Sequence, residues 1–256
     1  MNLAIKFLAA LLFVFSSNVS YSADLQRSEV VEMLKQADKD HPANLRRKDL
    51  TKLDLSGLDF RNADLWGADL RGANLSHSNF SGLVLDLTVM VAVNLEGANL
   101  SNVSIFGVSM MRSNLRNANL SGSRVIAILD NSDLSNADLS NVKWGADMKN
   151  QSMGLMRASL KKVNLSGANI SNADLGRAML RHADLSGANL QNASLYSASL
   201  EGADFSRADL RNADFTHAKV TDADFTGAKL TGAIFKNIKG TDSARGLDLG
   251  KANQGK

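Results

Sequence analysis

The chain has 256 residues, 44% of them hydrophobic, which suits one or two globular domains. Aromatic residues make up only 5% and Pro42 is the single proline, so the proline-bearing loops of a compact α/β enzyme are missing. The absence of cysteine excludes disulfides, thiolate metal sites, thiol nucleophiles and a lipoprotein anchor, and a net charge of +3 argues neither for nucleic acid nor for an acidic ligand.

Lys6, the apolar run at 7–15 and the small, polar stretch at 16–23 follow the order of a secretory signal peptide. Cleavage after Ser22 leaves Ser20 at the small-residue position, whereas cleavage after Ala23 would put Tyr21 there. The apolar run is about half of the ~20 residues that cross a bilayer, and no other segment is apolar enough to do so. Residues 1–22 are therefore assigned to a leader, and no membrane span is expected after its removal. The mature protein is expected outside the cytoplasm, in the periplasm or, in a cyanobacterium, in the thylakoid lumen.

Residues 23–42 are predicted to hold a short amphipathic helix at 25–39. Val30, Val31, Leu34 and Ala37 share one face, Glu29, Glu32, Lys35 and Asp38 lie elsewhere, and His41-Pro42 ends it. Its expected place is over the N-terminal open end of the segment that begins at residue 43, as a cap.

From residue 43 the chain repeats. Every fifth residue from Leu50 to Val125 is apolar, sixteen in succession, and a second run of seventeen extends from Leu155 to Phe235. Two residues before each centre the side chain is small; fourteen such positions from Ala168 to Ala233 are all alanine. Asp or Asn stands between, as in Ala63-Asp64-Leu65 and Ala188-Asn189-Leu190, and two polar or Gly residues come after each centre. A period of five matches neither helix nor extended strand, so the backbone must turn at each repeat. If four repeats close one coil, residues twenty apart stack. Centre and small residue then fill a narrow core, and the Asp or Asn side chain bonds nearby backbone donors. That register places Phe60 on Phe80, Phe205 on Phe225 and Phe215 on Phe235. It also makes ladders of Asn74, Asn94 and Asn114 and of Asn79, Asn99 and Asn119, and sets Glu96 beside Arg116 and Arg181 beside Glu201.

The motif A-(D/N)-L-x-x over about 43–237 resembles that of the pentapeptide-repeat proteins. The resemblance implies an all-β fold, a right-handed quadrilateral β-helix, over 43–238; the handedness comes from the resemblance alone. A leucine-rich repeat, with its period of about 20–29 residues and no internal five, fits poorly. One interruption is expected. After Val125 the centres shift to Leu129, Leu134, Leu139 and Trp144, and the pattern is lost before it resumes at Leu155. A bulge or projecting loop is expected near 145–154. Residues 239–256 form a polar tail in which Leu247 and Leu249 are expected to tuck against the last coil.

Catalytic chemistry is not legible. His41, His77, His182 and His217 fall in different columns, and none has a second histidine at ligand spacing. The acidic residues belong mostly to the repeat position, and His182 beside Asp184 reads as a turn residue next to a turn-closing aspartate. Asn74-Leu75-Ser76 and its like are by-products of the repeat, and no phosphate loop or dinucleotide fingerprint is present. The expectation is a protein with no enzyme activity, cofactor, metal or small-molecule substrate.

The resemblance also implies an alternative, since some family members mimic duplex DNA and bind gyrase, protecting it from quinolones. That needs a strongly negative rod in the cytoplasm. Residues 49–238 here carry 19 Asp and Glu against 18 Lys and Arg, behind a leader. The reading favoured is an exported scaffold that binds a protein partner, or a second copy, through an apolar patch. Trp66, Val84, Leu87, Val89, Val91, Phe106, Met111, Ile126 and Ile128 occupy outward positions that are polar in most coils. The competing expectation is that residues 145–156, with Met148, Met153 and Met156 and the adjacent Trp144, fold back over this patch.

Overall fold

The computed structural model describes residues 24–146 and 157–250. The leader expected over 1–22, most of the projection expected near 145–154, and any cover supplied by Met148, Met153 and Met156 lie outside the described residues.

Helix α1 spans Arg27–Gln36. It starts at a capping box in which the Gln26 N–H donates to Glu29 Oε2 at 2.7 Å, and Glu29 also sits favourably in the first turn. It stops where Asp38 Oδ1 accepts the N–H groups of Asp40 and His41, at 2.9 and 2.7 Å, ahead of Pro42. Val30 is fully buried in the main core, and Leu25, Met33, Leu34 and Ala37 pack partly against it. Arg27 ties the helix to the next coil by donating to the carbonyls of Asp54 and Ser56, at 2.7 and 2.9 Å.

From Ala43 the chain winds into a solenoid. Strand β1 (Ala43–Asn44) pairs in parallel with β2 (Ala63–Asp64), and single parallel bridges repeat that step of twenty, as in Asn74 to Asn94 and Asp204 to Asp224. Pairing is limited to about one residue per repeat because the backbone turns every five. The turn is local chemistry. The Asp or Asn side chain accepts the N–H two residues on, as from Asp204 to Ser206 (2.7 Å) and from Asn99 to Ser101 (3.1 Å). The residue after that adopts a left-handed backbone with φ near +60°, as at Asn102, Asn117 and Gly187. Glycine and asparagine tolerate that conformation best.

The inside is filled as the repeat requires. Ala188, Leu190, Ala208 and Leu210 have no exposed surface. Phe60 stacks on Phe80 with ring centroids 4.7 Å apart, Phe205 on Phe225 at 5.1 Å, and Phe215 on Phe235 at 4.8 Å. Asn114 donates to Asn94 and Asn94 to Asn74, both at 2.9 Å, and Asn74 continues the ladder to Asp54 at 3.0 Å. Asn79, Asn99 and Asn119 stack through backbone bridges. Glu96 and Arg116 are in register, but Glu96 accepts from the Asn114 amide at 3.2 Å instead of meeting the guanidinium. Glu201 is likewise in register with Arg181, without an ion pair between them among the described residues.

The interruption is a deletion and then an insertion. Strand β3 (Ser104–Ser109) pairs with β4 (Arg124–Ile128), and the register slips between Phe106 and Ser109, so that Asn114 meets Asp133 one residue early. The next coil is long. Ile128 pairs with Ser159 and Lys143 with Asp174, thirty-one residues apart instead of twenty, so the surplus lies between Lys143 and Ser159. Trp144, the last centre before it, is buried and donates its indole N–H to Ser123 Oγ at 3.2 Å. At the other end the pairing runs on past residue 238, from Lys219 to Lys239 and, through a 3-10 turn at Thr241–Ser243, from Asp224 to Arg245. Leu247 and Leu249 pack partly against the core.

Turn aspartates tie this fold to pH. Arg211 donates to Asp209 at 2.9 and 2.7 Å, which outweighs burial and holds that carboxyl below its ordinary 3.8. The Arg61 guanidinium does the same for Asp59. A carboxyl whose folded pKa is depressed adds stability above its unfolded pKa and loses it as pH falls through the folded one. The melting temperature is therefore expected to be flat from pH 8 to about 5 and to decline below about 4, as read by circular dichroism across a pH series.

Candidate functional site

Four columns of residues, one before each inward centre, run the length of the solenoid, and they are not equivalent. The column that starts Asp54, Asn74, Asn94 stays Asp or Asn through Asp224, and the one that starts Asp59, Asn79, Asn99 stays so through Asp209. The other two, which are neighbours, break the pattern. One carries Val84, Ser104, Arg124 and Lys143 between Asp64 and Asp174 and returns to Asp at Asp214; the other, after Asp49 and Asp69, carries Val89, Ser109, Ile128, Ser159, Met179 and Ser199. A departure removes the acceptor that the column residue itself supplies to the turn, a bond worth about 0.5–1.5 kcal/mol, although after Ser104 and Ser159 the turn N–H is taken instead by Asp86 and Asp130. Val84 and Val89 fall together in one coil, where both turns lack such an acceptor among the described residues.

Aromatic residues point to the same place. Among the described residues the aromatics outside the core are Trp66, Phe106 and Tyr196, and all three lie in the turn that joins these two columns. Leu87 lies there too, with φ at 63°. A bulky γ-branched residue in that conformation is an outlier costing on the order of 1–3 kcal/mol, at a position where asparagine and glycine are the usual choice.

The nine expected patch residues divide into groups. Val84, Leu87 and Val89, within one coil, are 61%, 54% and 38% exposed, and Ile128, two coils on, is 45% exposed. Val91, Phe106 and Met111 are half-buried. Ile126 corrects the expectation: it is 3% exposed, although it does not belong to the main core cluster that gathers Val125 and Ala127. The cause is the missing residue. No residue between Gly122 and Asn131 takes a positive φ, so β4 passes this corner without the turn that sends the equivalent side chain outward elsewhere. Trp66 is a second correction. Arg46 and Arg47 lie over its ring at 4.7 and 4.8 Å, and Asp86 stands between it and Phe106 in their column. Asp86 Oδ1 accepts the Phe106 N–H at 2.9 Å. The free apolar surface is thus centred on Val84, Leu87 and Val89, and Trp66 is an arginine-covered neighbour.

Beside Ile128 a cleft of about 370 Å³ runs between Val108, Ile126, Arg157, Lys161 and Met179. Farther along the same turn Tyr196 is 37% exposed, with His217 edge-on at 5.5 Å and Arg177 at 5.8 Å. Tyr196 is not legible as a site residue in the repeat pattern; its place in the column of Trp66 and Phe106 is the available signal. Among the described residues no group of three His, Cys, Asp or Glu is gathered for a metal, and no helix is long and apolar enough to cross a membrane.

A solenoid in which residues twenty apart pair in parallel, coil on coil, is the architecture of a repeat protein. The family model for pentapeptide repeats matches eight copies, over residues 43–67, 68–105, 94–125, 158–195 and 198–237. This chain belongs to the pentapeptide repeat family. Among solved structures it is similar to HetL, a pentapeptide repeat protein involved in heterocyst differentiation regulation from Nostoc sp. strain PCC 7120. Identity is 29%, with 84% of this chain and 94% of that one covered and a TM-score of 0.37. It is also similar to QnrB1, a plasmid-mediated fluoroquinolone resistance protein, at 21% identity over 75% of this chain and 91% of that one, with a TM-score of 0.51. The latter likeness speaks for the fold alone. No curated protein matches the chain in sequence.

Proposed function

We propose that the protein is an exported, non-catalytic scaffold, a right-handed four-sided coil capped by α1, which binds a protein partner through Val84, Leu87 and Val89. The observation that carries this reading is the cost accepted there. Val84 and Val89 replace turn-closing Asp or Asn, and Leu87 holds a strained backbone, all within one coil and all exposed. Exposed aliphatics bring a soluble fold no stability, so their return is association. The export half of the reading rests on the order of residues 1–22.

The test restores the repeat. In a Val84→Asp, Leu87→Asn, Val89→Asn variant both turns regain their side-chain acceptors and residue 87 gains a side chain suited to positive φ. Thermal stability is expected to rise by about 1–3 kcal/mol. Association, measured by sedimentation velocity of the protein alone and with the interacting fraction of an envelope extract, is expected to be lost. A destabilised variant would mean these side chains are covered core, and a stabilised variant with undiminished association would place the binding surface elsewhere.

A further inference from the structure

Charge is segregated around the C-terminal half of the solenoid. Consider the strip made by the column from Ser159 to Lys239 with the turns on either side of it. It holds eight lysines and arginines, among them Lys161, Lys162, Arg181, Lys219 and Lys239, against Glu201, Asp222 and Asp242. Over residues 160–238 the remaining columns and turns hold Arg207, Arg211 and Lys229 against six aspartates, and Arg245 follows in the column of Asp224. A near-neutral total hides two faces of opposite sign.

The cations of the two faces also differ in their partners. Away from the strip, Arg211 and Lys229 both meet Asp209, at 2.7 and 3.7 Å. On the strip, Lys161 has Asp130 at 3.9 Å, a carboxylate already accepting the Ser159 hydroxyl at 2.6 Å and the Lys161 N–H at 3.0 Å. Lys162, Arg181, Lys219, Lys236 and Lys239 have no ion-pair partner among the described residues. Consecutive coils are ~4.8 Å apart, so Lys161 and Arg181, and Lys219 and Lys239, repel each other, with Glu201 the acid in register beyond Arg181. The strip adds apolar groups to this charge, with half-buried Met179, exposed Tyr196 on its edge and exposed Ile128 at its N-terminal end.

We propose that this strip seats the protein on the surface of an anionic lipid bilayer, with lysine and arginine meeting headgroup phosphates and Tyr196 and Ile128 reaching the acyl boundary. Pairs of cations in consecutive coils, Lys161 with Arg181 and Lys219 with Lys239, with aliphatic and tyrosine side chains among them, match a planar interface. A nucleic-acid duplex would meet the cations but leave the apolar groups without partners. The proposal goes beyond the partner reading, because Val84 and Leu87 lie three coils before Ser159 and can be replaced without touching these cations.

The experiment is sedimentation of the full chain with vesicles of phosphatidylcholine alone and of phosphatidylcholine with phosphatidylglycerol. The apolar segment at 7–15 contributes to both, so the quantity read is the difference between them. Native protein is expected to prefer the anionic vesicles by at least tenfold at low salt and to lose that preference at high salt. At roughly fivefold per cation, a Lys161→Glu, Lys162→Glu, Arg181→Glu variant should bind anionic vesicles on the order of 100-fold more weakly. Arg207→Glu, on the opposite face, should bind as the native protein does. Equal binding of native protein to both vesicle types overturns the proposal whether or not the triple variant folds. So does an Arg207→Glu loss equal to that of the triple variant, or salt-sensitive binding to a single-stranded oligothymidylate without any to anionic vesicles.

Discussion

Replacing Phe215 by alanine is expected to cost roughly 3–5 kcal/mol, the range for emptying a buried aromatic site. Phe215 has no exposed surface and stands in a cluster of four phenylalanines. It stacks on Phe235 at 4.8 Å and meets Phe205 and Phe225 edge-on at 5.7 and 6.0 Å. The interior is one side chain deep, and its neighbours are held by pairing with the coils above and below, so little can collapse into the void. For a chain of this size the melting temperature should fall by about 2–4 °C per kcal/mol, hence roughly 6–20 °C. Phe106→Ala, at a half-buried turn position, should shift it by a small fraction of that. A Phe215→Ala loss below about 1 kcal/mol in denaturant titration, or one matched by Phe106→Ala, would contradict the stacked-column core.

The period of five is sufficient to find the core because each repeat solves the same local problem. Asn94, Leu95 and Ala98 behave as Asn189, Leu190 and Ala193 do, with no knowledge of the rest of the chain. What the pattern of a single repeat does not carry is what two coils decide together. Ile126 sits in an outward position by count, but whether it is exposed depends on a missing turn in β4 opposite Gly107. Trp66 reads as a free aromatic until Arg46 and Arg47, one coil away, cover it. His77 is another case. Its ring lies over Gly97, where an added Cβ would come within 2.6 Å of Nδ1, so two unremarkable turn residues twenty apart constrain each other. The motif ends at 238, whereas backbone pairing, which is indifferent to side chain, continues to Arg245.

The same division explains where the candidate site is visible. Exposed valines and leucines stand out against a polar template, so Val84, Leu87, Val89 and Ile128 are legible. The inequality of the columns is not, because it emerges only when residues are sorted by the coil they stack in. Two columns keep Asp and Asn almost throughout, and the other two, which keep Asp at Asp69 and Asp174 among others, carry the valines, Ile128 and Met179. A solenoid permits this separation because each position contacts only its neighbours above and below, so one face can be rewritten while another maintains the pairing.

Ala188→Leu tests the other half of the inside–outside assignment. Ala188 has no exposed surface, and its position is alanine in the coil above (Ala208) and the coil below (Ala168), both equally buried. The centres Leu185 and Leu190 already fill the interior on either side. Three added carbons have no space to enter, and the backbone is pinned from both directions, by Asn189 N–H to Ala168 O and Asp209 N–H to Ala188 O, each at 2.9 Å. Overpacking of this kind costs about 1–3 kcal/mol or more. It should also spread to the neighbouring coils, because their pairing must open to admit the side chain. Arg211→Ala is the matched control. Its guanidinium bonds Asp209 on the exposed surface, where such a pair contributes less than about 1 kcal/mol. In side-by-side thermal melts the leucine variant should unfold several degrees below the arginine variant, with a broader transition. Coincident melting curves for the two would mean that the alanine column has room behind it and that the solenoid is wider than a single layer of side chains.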